Sequence, residues 1–590
     1  MSSDLYVYDL SSQSEGDAHL FQRRDVLSCI DQNTMNYASN MVTIQTDVLS
    51  NSSKWLNLYE GVLIVPISIF LSAATANPAT GFNPVATPCD YALGIKNSFL
   101  TMIHNISVQY NGVTITNQIP LCSMWNCFKL LTTMNSSDFA SFASIGFSPD
   151  SLSSMAYSAG VTPGGIGMMN NSNYAIPKSV TGAAVPAGCC NIGFLQRQNY
   201  YNYDPSAAGG TFTSTSCGLV YKSYISRNAP NGTVTSGWTA QYLCAQIRLR
   251  DLHDVFAQMP LLKGSFLRLQ LGLNNTSFGF SVTNAVNNAG GTAIETQSTM
   301  FLTSLNSALG GVNPLMVAST LTNNGSNSLL YPTPTVANGT AVTTTPYIAS
   351  IQVGMQCLNN TQMQVAGLSG VTGNLIRSVT LTVPALSFSP DIEMSYLSLG
   401  QKKVVYNELF QYTIFNVANS GTINAIVSNG MLAPQEIFIV PVISGSINSL
   451  NGAGGLALPT FQSPFDPCGG GSSSYIAQLT NVNIVVAGSN LLQKNTQYIF
   501  EAYGQNYNGQ AGQVNGNLAD SLGSGLIDEL GFFYSPFYYC NLSRGLASDD
   551  LVLKSISVVA QNISGYQLDL YVFITHKMDF TVDLRTGALV

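Results

Sequence analysis

The sequence spells EGVLIVPISIF from Glu60 and EIFIVPVISGS from Glu436, 376 residues later. Apolar strings of this kind often match by accident, so the test is whether their surroundings keep the same offset. Residues 98–112, SFLTMIHNISVQYNG, meet residues 474–488, SYIAQLTNVNIVVAG, at that same 376. Ser98 falls on Ser474, Phe99 on Tyr475, Asn105 on Asn481 and Gly112 on Gly488. The apolar positions Leu100, Ile103, Ile106 and Val108 fall on Ile476, Leu479, Val482 and Ile484. A weaker echo needs a changed offset: LLKGSFLRLQLGLNN (261–275) against VLKSISVVAQNIS (552–564). Solenoid repeats have periods of about 20–50 residues, so a period this long is a whole domain. The 590 residues have room for two such units with sizeable cores.

The unit reads as all-β. Stretches such as HNISVQYNGVTI, SVTLTVPALSF and LDLYVFITHKMDFTVDL alternate, are rich in Val, Ile, Thr and Tyr, and are punctuated by Asn-Gly and Gly-Gly pairs suited to hairpins. Helix signals are few: 122–134, 249–259 and 518–532. About eight strands with one or two short helices fit a jelly roll, in which two facing sheets bury their inner faces. The predicted organisation is an N-terminal arm (1–23), a first jelly roll (24–398) and a second (399–590). The first is about twice as long as the second. The excess is assigned to two Gly/Asn/Ser/Thr-rich stretches near 150–240 and 276–345, expected as surface loops that form an outward projection.

Composition narrows the function. Charged residues are only 8% of the chain, about a third of the roughly 25% usual in soluble globular proteins. Amides and hydroxyls must wet its surface, as in β-rich proteins that pack against many neighbours. A net charge of −8 and an N-terminus with Asp4, Asp9, Glu15 and Asp17 but no early Lys or Arg speak against direct nucleic-acid binding. No span reaches the ~18 apolar residues of a membrane helix, and no signal peptide is visible. Eleven scattered cysteines, without zinc-ligand spacing, read as buried reduced thiols made in an intracellular compartment.

WLNLYEGVLIVPISI, HNISVQYNG, DLHDVFAQMPLLKGSFLRLQLGLNN, NPLMVAS, YLSLGQKKVVYNELFQY, SGLIDELGFFYSPFYYCNLSR and the closing DLYVFITHKMDFTVDLRTGAL, in this order, resemble the double jelly-roll major capsid proteins of virophages and Polinton-like viruses. The likeness runs from about residue 25 to the C-terminus, interrupted in the two insertions. It implies a structural protein of the virion, two jelly rolls side by side, and three chains forming a pseudo-hexagonal capsomer of an icosahedral shell. The implied partners are two further copies of the chain, neighbouring capsomers, and penton and minor capsid proteins. No cofactor is implied. Some relatives carry a C-terminal segment removed in maturation; this sequence stops ten residues after Phe580, so such processing is not expected.

Threefold contact is heterologous, so the first unit of one chain is expected to meet the second of the next. Apolar anchors are expected at the centres of such interfaces. Trp55, Trp125, Phe532, Phe533, Tyr534, Phe537, Tyr538 and Tyr539 are the candidates, with sheet-core packing as their plain alternative. Leu5, Tyr6, Val7, Tyr8 and Leu10 are the candidate N-terminal arm, against the alternative of a frayed terminus.

Catalytic patterns are absent from the sequence. His19, His104, His253 and His576 form no metalloprotease or nucleophile-elbow motif. RLRDLHDVF (Arg248, Arg250, Asp251, His253, Asp254) reads as a local ion network, and CGGGSSS lacks the lysine of a phosphate loop. Asp391/Glu393 and Asp549/Asp550 read as surface turns rather than paired catalytic carboxylates or calcium ligands. The chain is therefore not expected to be an enzyme. The alternatives that a jelly roll leaves open are a carbohydrate-binding, lectin-like attachment protein and a β-rich glycoside hydrolase.

Overall fold

The computed structural model describes residues 21–33, 40–46, 53–74, 91–95, 98–117, 119–134, 198–200, 220–228, 236–287, 294–307, 314–319, 347–356, 378–444, 477–508, 532, 536–543, 551–565 and 567–590. Within them the backbone builds one eight-stranded arrangement twice. The first set is β1 (Phe21–Ile30), β2 (Met41–Gln45), β3 (Val62–Ala74), β4 (Ile103–Tyr110), β5 (Val113–Thr116), β6 (Ser236–Arg248), β7 (Leu267–Leu273) and β8 (Thr380–Phe388). The second is β9 (Gln401–Val417), β10 (Thr422–Met431), β11 (Pro434–Ile443), β12 (Leu479–Val486), β13 (Ser489–Asn490), β14 (Tyr538–Asn541), β15 (Lys554–Asn562) and β16 (Leu568–Asp583).

In the first set the sheets run β1-β8-β3-β6 and β2-β7-β4-β5; in the second, β9-β16-β11-β14 and β10-β15-β12-β13. Each order is the other with every strand moved on by eight. All these pairs are antiparallel. Two facing four-stranded sheets with these long crossing connections are a jelly roll. The chain is a double jelly roll.

Period-two patterning makes the sandwiches. Along β15, Ile556, Val558 and Ala560 point inward and are buried, with half-buried residues between them. On β8 Leu381, Val383 and Ala385 do the same. The two units share their tightest turn. Asn111 and Gly112 join β4 to β5 at φ 47° and 82°, and Ala487 and Gly488 join β12 to β13 at 50° and 81°. Two successive left-handed residues match the twist of the flanking strands, which is why a two-residue hairpin favours Gly here.

Five short α-helices accompany the strands among the described residues: α1 (Cys122–Thr133), α2 (Leu249–Leu252), α3 (Asp254–Gln258), α4 (Pro390–Ser398) and α5 (Ile499–Asn508). The helix expected over 249–259 is broken at His253, whose extended backbone (φ −154°) ends α2 and caps α3. Of the helix expected over 518–532, all but Phe532 lies outside the described residues.

The insertion near 276–345 departs from the surface loop expected of it. Thr276–Asn287 and Ile294–Ser307 form a long antiparallel hairpin, joined through Tyr347–Gln356 to residues 68–74 of β3. Composition pointed to loop, but SFGFSVT alternates, and the overhanging end of β3 offers its backbone groups a ladder to extend. In the other long insertion, Val220–Asn228 pairs with β6. A small separate sheet joins Leu315–Ser319, Tyr91–Ile95 and Gln198–Tyr200.

Candidate functional site

The features with the most specific chemistry lie where the two sandwiches meet. Helix α1 belongs to the first unit by sequence, yet its apolar residues divide between two cores. Cys122, Cys127 and Leu130 join the core of the first sandwich, whereas Met124 and Phe128 join that of the second, with Trp125 packed against it. CSMWNCFKLLTT is apolar around most of its circumference because both sides are covered.

The face that receives α1 is the outside of sheet β9-β16-β11-β14. Tyr538 fixes which side is which: its hydroxyl crosses the sandwich to the backbone of Leu479 on the facing sheet, accepting from its N–H and donating to its carbonyl, both at 2.9 Å. Tyr538 lies opposite Ile439, so the neighbouring pair Phe438 and Tyr539 points outward, and Phe573 lies beside Phe438 on the same face. Trp125 meets Phe438 and Phe573 at ring-centroid distances of 5.1 and 5.8 Å. Phe128 meets Phe438 at 5.2 Å and Phe537 at 4.7 Å, and the contacts continue through Phe532 to Tyr503. Edge-on pairs of this kind each contribute about 0.5–1.5 kcal/mol beyond the area they bury.

Polar contacts flank this aromatic seam. His253 accepts a hydrogen bond at Nδ1 from the Val255 N–H (3.2 Å), and its Nε2 lies 3.4 Å from Glu408 Oε1 of the second unit. Thr116 Oγ1 donates to the other Glu408 oxygen at 3.1 Å, and Tyr406 donates to the Ile115 carbonyl at 3.1 Å. Asp254 accepts from the Asn407 N–H at 2.9 Å and lies 4.0 Å from Lys129. Glu436 is half-buried on the same face; burial pushes its carboxyl up to about 7, with Lys129 pulling it back and Asp254 pushing it further. Burial holds His576, opposite Glu408 on the paired strand, below the usual imidazole value, against the pull of Glu408. A further contact ties in the end of the chain: Tyr110 Oη and Asn111 Nδ2 both donate to the Gly587 carbonyl, at 2.7 and 2.6 Å.

RLRDLHDVF is thus only partly a local ion network. Arg248 and Asp251 pair within it at 2.5 Å, but His253 and Asp254 reach across to the second unit. Glu393 accepts from Lys263 (2.6 Å) and from the Trp55 indole N–H (3.2 Å), so it serves to pack α4 against the first unit. Asp549 and Asp550 lie outside the described residues, as do Phe533, Tyr534 and the arm residues Leu5, Tyr6, Val7, Tyr8 and Leu10.

Trp55, Phe532, Phe537, Tyr538 and Tyr539 are 1–5% exposed. Trp55 packs edge-on against Tyr396 and Phe388 at 5.0 and 5.9 Å. These side chains pack inside the chain, and Trp125 is partly buried against the second core. Among the described residues no group of His, Cys, Asp and Glu could hold a metal ion. Cys29, Cys122, Cys127 and Cys540 are buried, and burial pushes the Cys540 thiol up to about 12. No helix among the described residues is long and apolar enough to cross a membrane.

The sequence matches no family model and no curated protein. Several solved structures resemble it along nearly its whole length. A chain of the Sputnik virophage solved by cryo-EM is 11% identical, with 98% of this chain and 90% of that one covered, at a TM-score of 0.46. The Faustovirus major capsid protein is 10% identical over 98% and 94% of the two chains, with a TM-score of 0.38. A chain of the PBCV-1 virus capsid is 8% identical over 98% and 99%, with a TM-score of 0.36.

Proposed function

We propose that the chain is a major capsid protein whose three copies close into a six-walled capsomer of an icosahedral virion shell. The observation that carries this reading is the seam: one polypeptide folds the same sandwich twice and fastens the first copy onto the outer sheet face of the second. The walls would be residues 24–398 and 399–590. Two similar walls fixed side by side supply one third of a hexagonal outline while remaining free to differ where their neighbours differ. A heterologous contact between first and second units of successive chains then closes the ring. The polar, charge-poor surface suits a protein that meets neighbours on many sides. The role is structural, with neighbouring capsomers and minor capsid proteins as further partners.

Light scattering on the chromatographed protein tests this. The expected mass is three times the 62.8 kDa of one chain, with hexagonal outlines in negative-stain images. A monomer at all concentrations, especially one retained by a glycan array, would instead favour a lectin-like role.

A further inference from the structure

The offset that relates the two units continues into their helices. Adding 376 to Cys122, Ser123 and Met124 gives Tyr498, Ile499 and Phe500, so α5 starts within one residue of where α1 does. Both helices follow the short edge strand, β5 or β13, of their own unit. Their surroundings differ in one respect. Met124 is fully buried against the second sandwich, whereas Phe500, in the same place on α5, is 64% exposed and Tyr498 beside it 68% exposed. Helix α1 is seated on a sheet face; the leading aromatics of α5 are not.

The face that would receive α5 is open too. The outside of sheet β1-β8-β3-β6 corresponds to the face covered by α1 in the second unit. In register across it lie Val26 and Pro384; Ser28, Thr382, Val62 and Arg248; and Ile30, Thr380, Ile64 and Gln246. Val26 and Ile30 are 64% and 61% exposed, and Val62, Ile64 and Pro66 are only half-buried. At the offset of 376, Val62 is the counterpart of Phe438, which α1 covers.

We propose that α5 of one chain seats Tyr498 and Phe500 on the outer face formed by Val26, Ile30, Val62 and Ile64 of a second copy, repeating between chains the contact that α1 makes within one. The occupant is a second copy because the chain itself carries both the seated and the unseated version of the same helix–face pair. The contact is head-to-tail: each copy offers one helix and one face. Its closure at three chains rests on the capsomer reading above.

Two variants test it, Phe500→Asp on the helix and Ile30→Asp on the face. Both positions are exposed, so circular dichroism and melting temperature should stay at wild-type values. Each variant alone should dissociate at protein concentrations at least about thirtyfold higher than wild type, the loss expected for one central interface residue. Mixing the two should form a complex of two chains and no larger, because only one intact helix and one intact face remain between them. If the wild type is trimeric and either variant remains equally so, or if the mixture yields no two-chain complex, this contact is wrong while the trimer stands. A wild type that is monomeric throughout removes the capsomer reading, and this contact with it.

Discussion

Glu60 and Glu436 occupy the same place in the repeat and meet opposite fates. Glu60 pairs with Arg24 at 2.7 Å at the surface, whereas Glu436 lies on the face that α1 covers, near Lys129 and Asp254. Its carboxyl is raised in the folded chain to about 7, from the 4.5 expected when unfolded. The folded state therefore holds a proton that the unfolded state has lost. The resulting stabilisation is complete below about pH 4.5 and disappears as pH rises through about 7. At about 1.4 kcal/mol per unit the difference is up to about 3 kcal/mol, less whatever water at this half-buried site screens. His576 acts with the opposite sign: its lowered value gives stability that is present above about 6.5 and fades as pH falls. Melting temperature should accordingly drop between pH 6 and pH 8.5, and Glu436→Gln should flatten most of that drop. An unchanged slope in the variant would place the titration elsewhere. The sequence shows a glutamate before an apolar strand in both units. It does not show which of the two has a helix over it, because that depends on residues roughly 300 positions away.

At the scale of elements, what is local could be read and what is shared could not. Strands β4 and β12 and their hairpins were legible because the apolar alternation and the left-handed turn lie within fifteen residues of one another. Helix α4 carries standard start signals, Ser389 followed by Pro390 at the first turn and then Asp391 and Glu393, yet it is short and its SYLS end resembles a strand. Helix α5 is obscured by Gly504, Asn506 and Asn508, poor helix formers in its second half. Helix α1 was visible as a helix, but not as a part of two cores. That sharing predicts how the chain unfolds. With α1 intact, calorimetry should record one transition for both sandwiches. Phe128→Ala removes the ring that touches both Phe438 and Phe537, and truncations of this kind cost about 3–5 kcal/mol. Most of that loss belongs to the seam, so the variant should unfold in two resolved steps, the second sandwich separating from the first. A single transition merely shifted to lower temperature would show that α1 packs without coupling the units.

For the whole molecule, the scarcity of charge and the duplicated fold make one joint demand on assembly. Ion pairs are few among the described residues, and several, such as Arg23–Asp25 and Lys403–Asp579, bridge strand neighbours at the surface, where water screens them. The faces assigned to contact between chains present Val26, Ile30, Tyr498 and Phe500, and the charged side chains beside them, Arg24, Glu60, Arg248 and Glu501, are already paired within the chain. Association built on such surfaces is driven by removing apolar area from water, and salt changes it through water rather than through screening. Raising sodium chloride from low to near-molar concentration should therefore leave the dissociation of the proposed trimer within about threefold of its starting value, since little charge is there to be screened. Sulfate, which is excluded from protein surfaces, should tighten it. Dissociation that rises by orders of magnitude with sodium chloride would mean that charged residues of the long insertions, rather than the apolar sheet faces, hold the copies together.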